Sequence, residues 1–369
     1  MPGRVGLVWS EDLMAYKLSG DHPLQPIRVK LAVEQMGASG LLEHASVLAP
    51  KTASRQELAL VHDSAYIDLV AALSDPARRP GVSPWEVETA GFGSPDNPIA
   101  VGMHEAAATV VGASVVAAET VHSGDALHVF SPAGGLHHAH ARWASGFCVY
   151  NDVAVAAAWL RERGHRVACV DVDVHHGDGT QAIFYADPQV LTVSLHESGR
   201  YLFPGTGFPA ELGEAPALGA SVNLPLEPYC WDEPWLAAFE ALIPVIRDFQ
   251  PTVLLTQDGC DSHLLDPLAN LQTSTAIWPR IGSRFHELAH ELCQGRWVAL
   301  GGGGYALREV VPRAWALLFA EMIERPELAA DLIDPEPFPP SPEAQEQVWR
   351  GLDRDLQKLS AELGLEIGR

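Results

Sequence analysis

The sequence predicts an α/β protein, a three-layer α/β/α sandwich with a mostly parallel sheet. Short apolar runs alternate along the chain with longer helical segments, which is the pattern of parallel strands joined by crossover helices. The chain has 369 residues, of which 47% are hydrophobic and 19% are charged, so it can bury a sizeable core. We find no internal repeat and no break in composition, and we therefore expect one domain over residues 1–369.

Charge and composition narrow the classes of partner. The formal net charge of −23 would repel the phosphates of a nucleic acid, and it favours cationic substrates such as lysine-rich segments or polyamines. No run of about 18 apolar residues occurs, so no membrane span is expected. The five cysteines are scattered, as suits reduced thiols, and residues 1–9 look like a first strand rather than a signal peptide. We therefore expect a cytoplasmic protein.

The N-terminal part of the chain predicts two strands and two helices. The first strand lies within residues 1–9, and a proline-punctuated loop then leads into a helix from about 27 to 36. A short strand falls within 41–50. Ser54, with Glu57 three residues later, forms a capping box that begins the second helix.

The rest of the chain alternates regularly between strands and helices. His62 is expected to be packed or hydrogen-bonded rather than a metal ligand. Proline and glycine are frequent from about 74 to 99, which predicts a long surface loop, and small apolar residues over 103–120 predict a buried helix. A helical tail follows beyond about 330 and ends in a polar amphipathic segment near 343–363. Further strands are predicted at 126–130, 166–170, 190–196, 221–225, 252–256 and 297–300, and further helices at about 152–163, 179–185, 233–249 and 277–294.

Polar residues are concentrated where the strand at 166–170 ends. Asp171, Asp173 and His175 alternate with valines, so continued strand geometry would send all three to one face. A carboxylate and an imidazole two residues apart on one face can bind one small dication, and the glycines that follow allow the backbone to turn sharply. This stretch predicts a metal site.

Four predicted strands lead into polar or glycine-rich loops. The carboxyl edge of a parallel sheet is where α/β folds place their chemistry, so we expect these loops to meet there. Asp173, His175 and Asp261 would then form a three-ligand site with a position left for water, as in a catalytic metal centre. The four loops are 131–138, 171–178, 257–261 and 301–305.

The remaining polar groups of these loops suit acid–base catalysis. His137 and His138 are adjacent, and each needs a carboxylate to orient it and raise its basicity. Asp171 and Asp178 are the available carboxylates. Tyr305, which follows four glycines, has a phenol that can donate to a substrate carbonyl as it becomes an oxyanion.

Taken together, these motifs resemble the zinc-dependent deacetylases of the histone deacetylase superfamily, in the branch of the acetoin-utilisation proteins and class I enzymes. The resemblance covers residues from about 20 to 320 and implies the arginase/deacetylase type of α/β/α fold. The tail beyond about 330 carries no recognised motif. The matching segments are 134–138, 146–152, 171–179, 203–207, 258–261 and 301–305.

The resemblance implies a metal-dependent amidohydrolase that removes acetyl groups from acetyl-lysine in proteins. Asp173, His175 and Asp261 would be the zinc ligands, and the same ligands also suit iron(II). Tyr305 would polarise the acetyl carbonyl.

The resemblance also assigns the acid–base roles. His138, paired with Asp178, would be the general base and acid, and His137, paired with Asp171, would be its electrostatic partner. Arg28 would lie below the site and serve acetate release.

A narrow tunnel for the acetyl-lysine stem is implied as well. Phe147 and Phe203 would form its walls, and Gly146 would let the stem approach the backbone. Leu268 falls where the family places another tunnel residue. Asp96 matches the rim carboxylate that holds the substrate backbone.

Related enzymes bind a monovalent cation, usually potassium. The oxygens that bind this cation would come from Asp171, Asp173, His175, Ser194 and Leu195. A second monovalent-cation site near Phe184, Asp187 and Val190 is a further expectation.

Three other functions fit the sequence less well. Two-manganese arginases need extra bridging carboxylates, but Gly177 and His263 stand where these would fall. An acetylpolyamine amidohydrolase is the nearer alternative, because the same tunnel would accept either amine. A non-catalytic acyl-lysine reader predicts the loss of a metal ligand or of Tyr305, and neither is lost.

His140 and Trp143 depart from the family pattern. This departure would alter the rim of the tunnel without affecting the catalytic residues.

Overall fold

A parallel β-sheet lies at the centre of the fold. The computed structural model describes residues 5–335, 339–365 and 367–368, and the sheet has eight strands within this part of the chain. The strands are β1 (Val5–Val8), β2 (Ser46–Leu48), β3 (His128–Ser131), β4 (Val167–Asp171), β5 (Val190–Glu197), β6 (Ser221–Leu226), β7 (Val253–Gln257) and β8 (Trp297–Leu300). Their order is β2-β1-β3-β8-β7-β4-β5-β6, and every neighbouring pair is parallel.

Helices cover the sheet in two groups. On one side α5 packs on β1, β3 and β8, with α6 on β4 and α7 on β5; on the other α8 and α9 pack on β5 and β7, with α10 between α1 and α9. This arrangement confirms the predicted α/β class. The helices are α1 (Ile27–Ala38), α2 (Arg55–Leu58), α3 (Ser64–Ser74), α4 (Pro84–Thr89), α5 (Met103–Ser123), α6 (Asp152–Arg161), α7 (Asp178–Phe184), α8 (Asp232–Phe249), α9 (Ile277–Leu292), α10 (Val311–Met322) and α11 (Pro342–Leu363).

Helix α5 is long and apolar enough, by length and composition, to cross a membrane. It is instead part of the protein interior, because it packs against α6 and three strands and 67% of its most apolar window is buried. The prediction of a buried helix at 103–120 is therefore confirmed.

Four neighbouring strands end at the same level. Ser131 pairs with Leu300, Leu300 with Gln257, and Gln257 with Asp171, so the carboxyl ends of β3, β8, β7 and β4 lie side by side. The loops that follow these strands are the four polar or glycine-rich loops of the sequence. Their predicted convergence at one edge is confirmed.

Local geometry differs from the sequence prediction in two places. Strand β4 ends at Asp171, so the alternation that was expected to carry Asp173 and His175 to one face does not continue into the loop. The long loop predicted at 74–99 contains α4, whereas the short strand predicted within 41–50 is present as β2, after a 3₁₀ turn. The capping box of Ser54 and Glu57 is present as predicted.

Candidate active site

Three side chains that can bind one cation meet at the carboxyl edge of the sheet. Nδ1 of His175 lies 3.2 Å from Oδ1 of Asp173 and 3.0 Å from Oδ2 of Asp261. One ligand atom from each residue lies within 4.8 Å of those of the other two. All three side chains are buried. The structure thus brings together the three residues that the sequence predicts as metal ligands.

Glycines leave the space that these carboxylates occupy. A Cβ atom added at Gly303 would lie 1.9 Å from Oδ2 of Asp261, and one added at Gly259 would lie 2.0 Å from Oδ2 of Asp173. The N–H of Gly303 donates to Oδ2 of Asp173 at 2.6 Å, and Nε2 of Gln257 donates to the same oxygen at 2.8 Å. The loops after β7 and β8 therefore fix the position of Asp173.

The electrostatics of this cluster favour a bound cation. Burial raises the pKa of Asp261, and the neighbouring carboxylate of Asp173 raises it further. Burial opposes charge on His175, but the two aspartates outweigh it and raise its pKa to about 10. The two carboxylates thus call for a positive charge between them, and Asp and His ligands without a thiolate suit zinc or iron(II).

Two histidine–aspartate pairs adjoin the cluster. Nδ1 of His137 lies 2.7 Å from Oδ2 of Asp171, and Nδ1 of His138 lies 2.7 Å from Oδ1 of Asp178. The Nε2 atoms of the two rings are 3.1 Å apart. Each Nδ1–H therefore donates to a carboxylate, and both rings line a cavity that also contains two of the three candidate ligands.

The surroundings of the two imidazoles give them different charges. Burial lowers the pKa of His138 to about 4, and the charge of His137 adds to this effect. Burial also opposes charge on His137, but the charges of Asp171 and Asp173 raise its pKa to about 9. At neutral pH His137 is therefore positively charged, whereas His138 is neutral.

Asn151 and Asp152 hold the histidine loop from behind. Nδ2 of Asn151 donates to the carbonyl of His137 at 3.0 Å. Asp152 accepts hydrogen bonds from the N–H groups of Gly135, at 3.0 Å, and Leu136, at 2.7 Å. The sequence places this pair inside a matching motif but gives it no role, because hydrogen bonds from backbone N–H groups and from the distant Ser114 leave no separate pattern.

Tyr305 and Arg28 line the same cavity. Burial raises the pKa of the Tyr305 phenol well above its ordinary value, so it stays a hydrogen-bond donor. The backbone N–H of Tyr305 donates to Oδ2 of Asp266 at 2.7 Å, a contact that the sequence did not indicate. The buried Arg28 donates from Nη1 to the carbonyl of Gly304 at 3.1 Å, and its guanidinium lies 5.4 Å from the Trp315 ring centroid.

Aromatic rings lie beside two of the predicted catalytic side chains, His138 and Tyr305. The Phe203 ring is 5.0 Å from that of His138 and is 46% exposed, and the Phe147 ring is 5.8 Å from that of Tyr305. Gly146 has a φ of 51°, and a Cβ atom there would lie 2.3 Å from Cδ2 of His138. This position therefore requires glycine for two independent reasons.

The remaining predicted substrate contacts lie farther out. Asp96 has an exposed side chain, and its carbonyl lies 3.1 Å from Nε2 of His22. The His22 ring is 4.5 Å from that of Phe147, so it connects the Asp96 loop to the site, a role that the sequence did not reveal. Leu268 is half-buried, and its N–H donates to Oδ1 of Asp266 at 3.0 Å. Asp96 and Leu268 are not among the described residues that line the inner cavity.

His140 lies nearer to the chemistry than the sequence predicted. Its Nε2 is 3.3 Å from Oδ2 of Asp178, and its ring stacks on Trp143 with centroids 4.2 Å apart. Burial acts to raise the pKa of Asp178, but His138 and His140 together lower it. The expectation that His140 and Trp143 affect only the rim is therefore wrong for His140.

The residues predicted for a monovalent cation surround the end of β4. Asp171 and Ser194 are paired in register between β4 and β5, and Leu195 follows on β5. Asp173 and His175 come from the loop after β4. Cation binding here stays a prediction.

The second predicted cation site is a turn between α7 and β5. The N–H of Asp187 donates to the carbonyl of Phe184 at 2.9 Å, and the N–H of Val190 donates to the carbonyl of Asp187 at 3.3 Å. Oδ2 of Asp187 accepts from Arg161 at 2.6 Å. This site also stays a prediction.

The surroundings of Gly177 and His263 can be compared with what a two-metal site of the arginase type would require. Nε2 of His263 pairs with Oδ2 of Asp334 at 2.9 Å. A Cβ atom at Gly177 would lie 2.4 Å from Oδ2 of Asp171, so a carboxylate side chain has no room there without rearrangement. Both observations favour one cation over two.

Comparison with known proteins agrees with this geometry. The histone deacetylase domain family matches residues 22–322. The chain is 42% identical over 317 residues to the acetoin utilization protein AcuC of Bacillus subtilis (strain 168), covering 85% of this chain and 81% of that protein. It is 38% identical to AcuC of Staphylococcus aureus (strain MSSA476) over 88% of this chain and 82% of that protein, and 36% identical to AcuC of Staphylococcus xylosus over 88% and 83%. The chain therefore belongs to the histone deacetylase family of hydrolases and resembles its acetoin-utilisation members.

Proposed function

We propose that the protein is a metal-dependent deacetylase that hydrolyses the acetamide of ε-acetyl-lysine in proteins, releasing acetate and a free amine. One observation carries this proposal: Asp173, His175 and Asp261 converge, and two of them line a cavity together with the neutral imidazole of His138. A cation site next to a base is the arrangement that amide hydrolysis by an activated water requires.

Asp173, His175 and Asp261 would hold the divalent ion, which is zinc or iron(II) in this proposal. When bound, the ion would supply Lewis-acid chemistry, polarising the amide carbonyl and lowering the pKa of water. The family is generally metal-dependent, which supports the assignment.

His138 moves the proton in this mechanism. Its Nε2 is free of hydrogen, because Nδ1–H donates to Asp178, so Nε2 can take a proton from the attacking water. The same atom then donates that proton to the amine nitrogen, which leaves only when it is protonated.

Tyr305 and His137 stabilise the charge that develops. The phenol of Tyr305 remains protonated and would donate to the carbonyl oxygen as it becomes an oxyanion. His137 would keep its proton through its pairing with Asp171, and would thereby stabilise negative charge beside His138.

The aromatic groups suit the substrate stem. Phe147 and Phe203 would pack against the four apolar carbons of acetyl-lysine, next to the open backbone at Gly146. The exposed carboxylate of Asp96 would bind the substrate backbone, and Leu268 would contact the rim. A potassium ion at the predicted monovalent site belongs to the same proposal.

The substrate class is tested by comparing an acetyl-lysine peptide with acetylputrescine at equal concentrations. The half-exposed Phe203 and the exposed Tyr201 leave the entrance open to a polypeptide, so faster turnover of the peptide is expected. Faster turnover of acetylputrescine would instead indicate a polyamine deacetylase, which the net charge of −23 would also suit.

The proposal includes a cytoplasmic location and no nucleic-acid or membrane partner. The net negative charge and five buried free cysteines support this part of the proposal.

A further inference from the structure

A second group of histidines lies at the opposite edge of the sheet from the active site. His128 begins β3, the strand whose other end leads to the catalytic histidines, and His286 and His290 lie four residues apart on α9. The ring centroids are 4.8 Å apart for His128 and His286, 5.2 Å for His128 and His290, and 4.6 Å for His286 and His290. One nitrogen from each ring lies within 4.8 Å of the other two. We call these three residues the histidine cluster.

Two nitrogens of the histidine cluster have no hydrogen-bond partner. Among the described residues, Nδ1 of His128 and Nδ1 of His286 are buried and unpaired. His128 is only 3% exposed. Buried polar atoms in folded proteins are almost always satisfied, and each exception calls for a bound group or another explanation. A cation bound by one nitrogen of each ring would give this group of histidines a partner.

The surroundings orient the histidine cluster for a cation. Nε2 of His286 lies 3.2 Å from Oε1 of Glu324, so Nε2–H donates to this carboxylate and Nδ1 keeps its lone pair. A carboxylate behind the outer nitrogen is the usual arrangement of a metal-bound histidine. His290 lies in the last turn of α9, where the partial negative charge of the helix terminus favours cations.

Access from solvent is available on one side. His290 is exposed, and the histidine cluster opens into a cavity of about 420 Å³ that is also lined by His44 and Glu324. Nε2 of His44 already accepts a hydrogen bond from Arg325 at 3.2 Å. An ion could therefore enter from solvent and complete its coordination with water on the open side.

We propose that the histidine cluster binds one divalent transition-metal ion, zinc in the first instance, which fastens the end of α9 to the start of β3. Imidazole nitrogen is a preferred ligand for zinc, copper and nickel. Histidines at positions i and i+4 of a helix lie on one face, and His128 supplies the third ligand from the strand beneath. The site is structural, because it lies at the far end of β3 from the catalytic residues. It is independent of the proposed deacetylase function.

The test counts zinc ions bound per chain by equilibrium dialysis followed by elemental analysis. Wild-type protein is expected to bind two ions, one at the active site and one at the histidine cluster. His290→Gln and His286→Gln should each bind one ion and should retain deacetylase activity. Asp261→Asn should lose the active-site ion and keep the other, so failure of the cluster and failure of the active site give different results.

A surface histidine provides a matched control. His122 is exposed, and its Nδ1 lies 2.9 Å from Nε2 of His165, so it forms a histidine pair outside both candidate metal groups. His122→Gln should therefore bind two zinc ions, as the wild type does. Zinc should also raise the Tm of wild type more than that of His290→Gln, because it stabilises only the folded state in which the ligands meet. Equal zinc content in wild type, His286→Gln and His290→Gln would overturn the proposal.

Discussion

At the scale of single residues, the active site gives adjacent histidines different protonation states at neutral pH. His137 and His138 differ by one position in the chain, yet the charges of Asp171 and Asp173 raise the pKa of the former to about 9, whereas burial lowers that of the latter to about 4. One ring is therefore suited to stabilise negative charge and the other to accept a proton. Replacing the two histidines should therefore have unequal effects on activity.

Replacing Tyr305 with phenylalanine removes a hydroxyl group and little else. The variant should bind the active-site ion as the wild type does, because Tyr305 is not a candidate ligand. Its kcat should fall by roughly 10²-fold or more, the usual effect of losing an oxyanion donor. Metal analysis and steady-state kinetics on an acetyl-lysine peptide provide the measurement. Turnover like that of wild type would remove Tyr305 from the mechanism.

The two histidines should differ in their importance for activity. His138→Ala is expected to reduce kcat more than His137→Ala does, because only His138 is assigned proton transfer, which contributes about 10²- to 10⁴-fold. Kinetics of the two alanine variants on the same peptide would give the ranking. If His137→Ala were the more damaging change, the base would have to be reassigned to His137.

Some site residues could be predicted from the sequence and others could not. The roles of Asp173, His175 and Asp261 can be predicted, because each residue belongs to a short polar motif that directly follows an apolar strand. The roles of Asp266 and His22 cannot be predicted, because each acts through a backbone group of a distant segment. The contact of His140 with Asp178 joins two side chains, and it cannot be predicted because it depends on how two loops fold against each other.

At the scale of secondary structure, the order of the strands is the feature that the sequence does not contain. Strands β3, β8, β7 and β4 are neighbours, although β3 and β8 begin at His128 and Trp297. The existence of each strand follows from a short apolar run, and the shared edge follows from the general rule for parallel sheets. The order itself depends on long-range packing. Strand and helix boundaries differ by a few residues for a related reason, because the ends depend on their neighbours.

The loops between these elements depend on glycine at particular positions. Gly303→Ala should abolish binding of the active-site ion and with it activity, because the new Cβ would lie 1.9 Å from Oδ2 of Asp261. Metal analysis and acetate release test this expectation. Gly20 and Gly81 are suitable controls, because an added Cβ meets nothing within 4 Å at either position and neither has a positive φ. Full metal binding by Gly303→Ala would show that the loop can move aside.

At the scale of the whole molecule, the sequence predicts the helical character of the C-terminal tail but not where the tail packs. The sequence indicated a polar amphipathic segment near 343–363, and α11 has this character. Its apolar side, which includes Leu352 and Leu356, packs on β6 and α8. The sequence carried no sign of this docking position, because any exposed apolar groove of similar shape would suit the same helix. The single-domain interpretation stays a prediction.

Folding stability should depend on pH through the buried His62. Its Nδ1–H donates to the carbonyl of His140, and its Nε2 accepts from the N–H of Asn151, so the folded protein holds the neutral ring. Burial lowers its pKa to about 4, whereas the unfolded chain binds a proton at about pH 6.5. The unfolding free energy should therefore fall as the pH falls through this range, by up to about 1.4 kcal/mol per pH unit.

Denaturant unfolding of wild type and His62→Gln measures this contribution. Between about pH 7.5 and pH 5, the wild type should lose about 2 kcal/mol more stability than the variant, whose side chain does not titrate. The other buried histidines affect both proteins alike and cancel in the difference. Equal losses in the two proteins would contradict the structural role of His62.

The most direct test of the proposed active site is acetate release from an acetyl-lysine peptide as a function of bound zinc. Protein stripped by a chelator should release no acetate, activity should return in proportion to zinc added back, and Asp261→Asn should not recover. Acetate release that survives chelation, or that Asp261→Asn regains in full, would contradict the assignment of Asp173, His175 and Asp261 as the ligands of a catalytic ion.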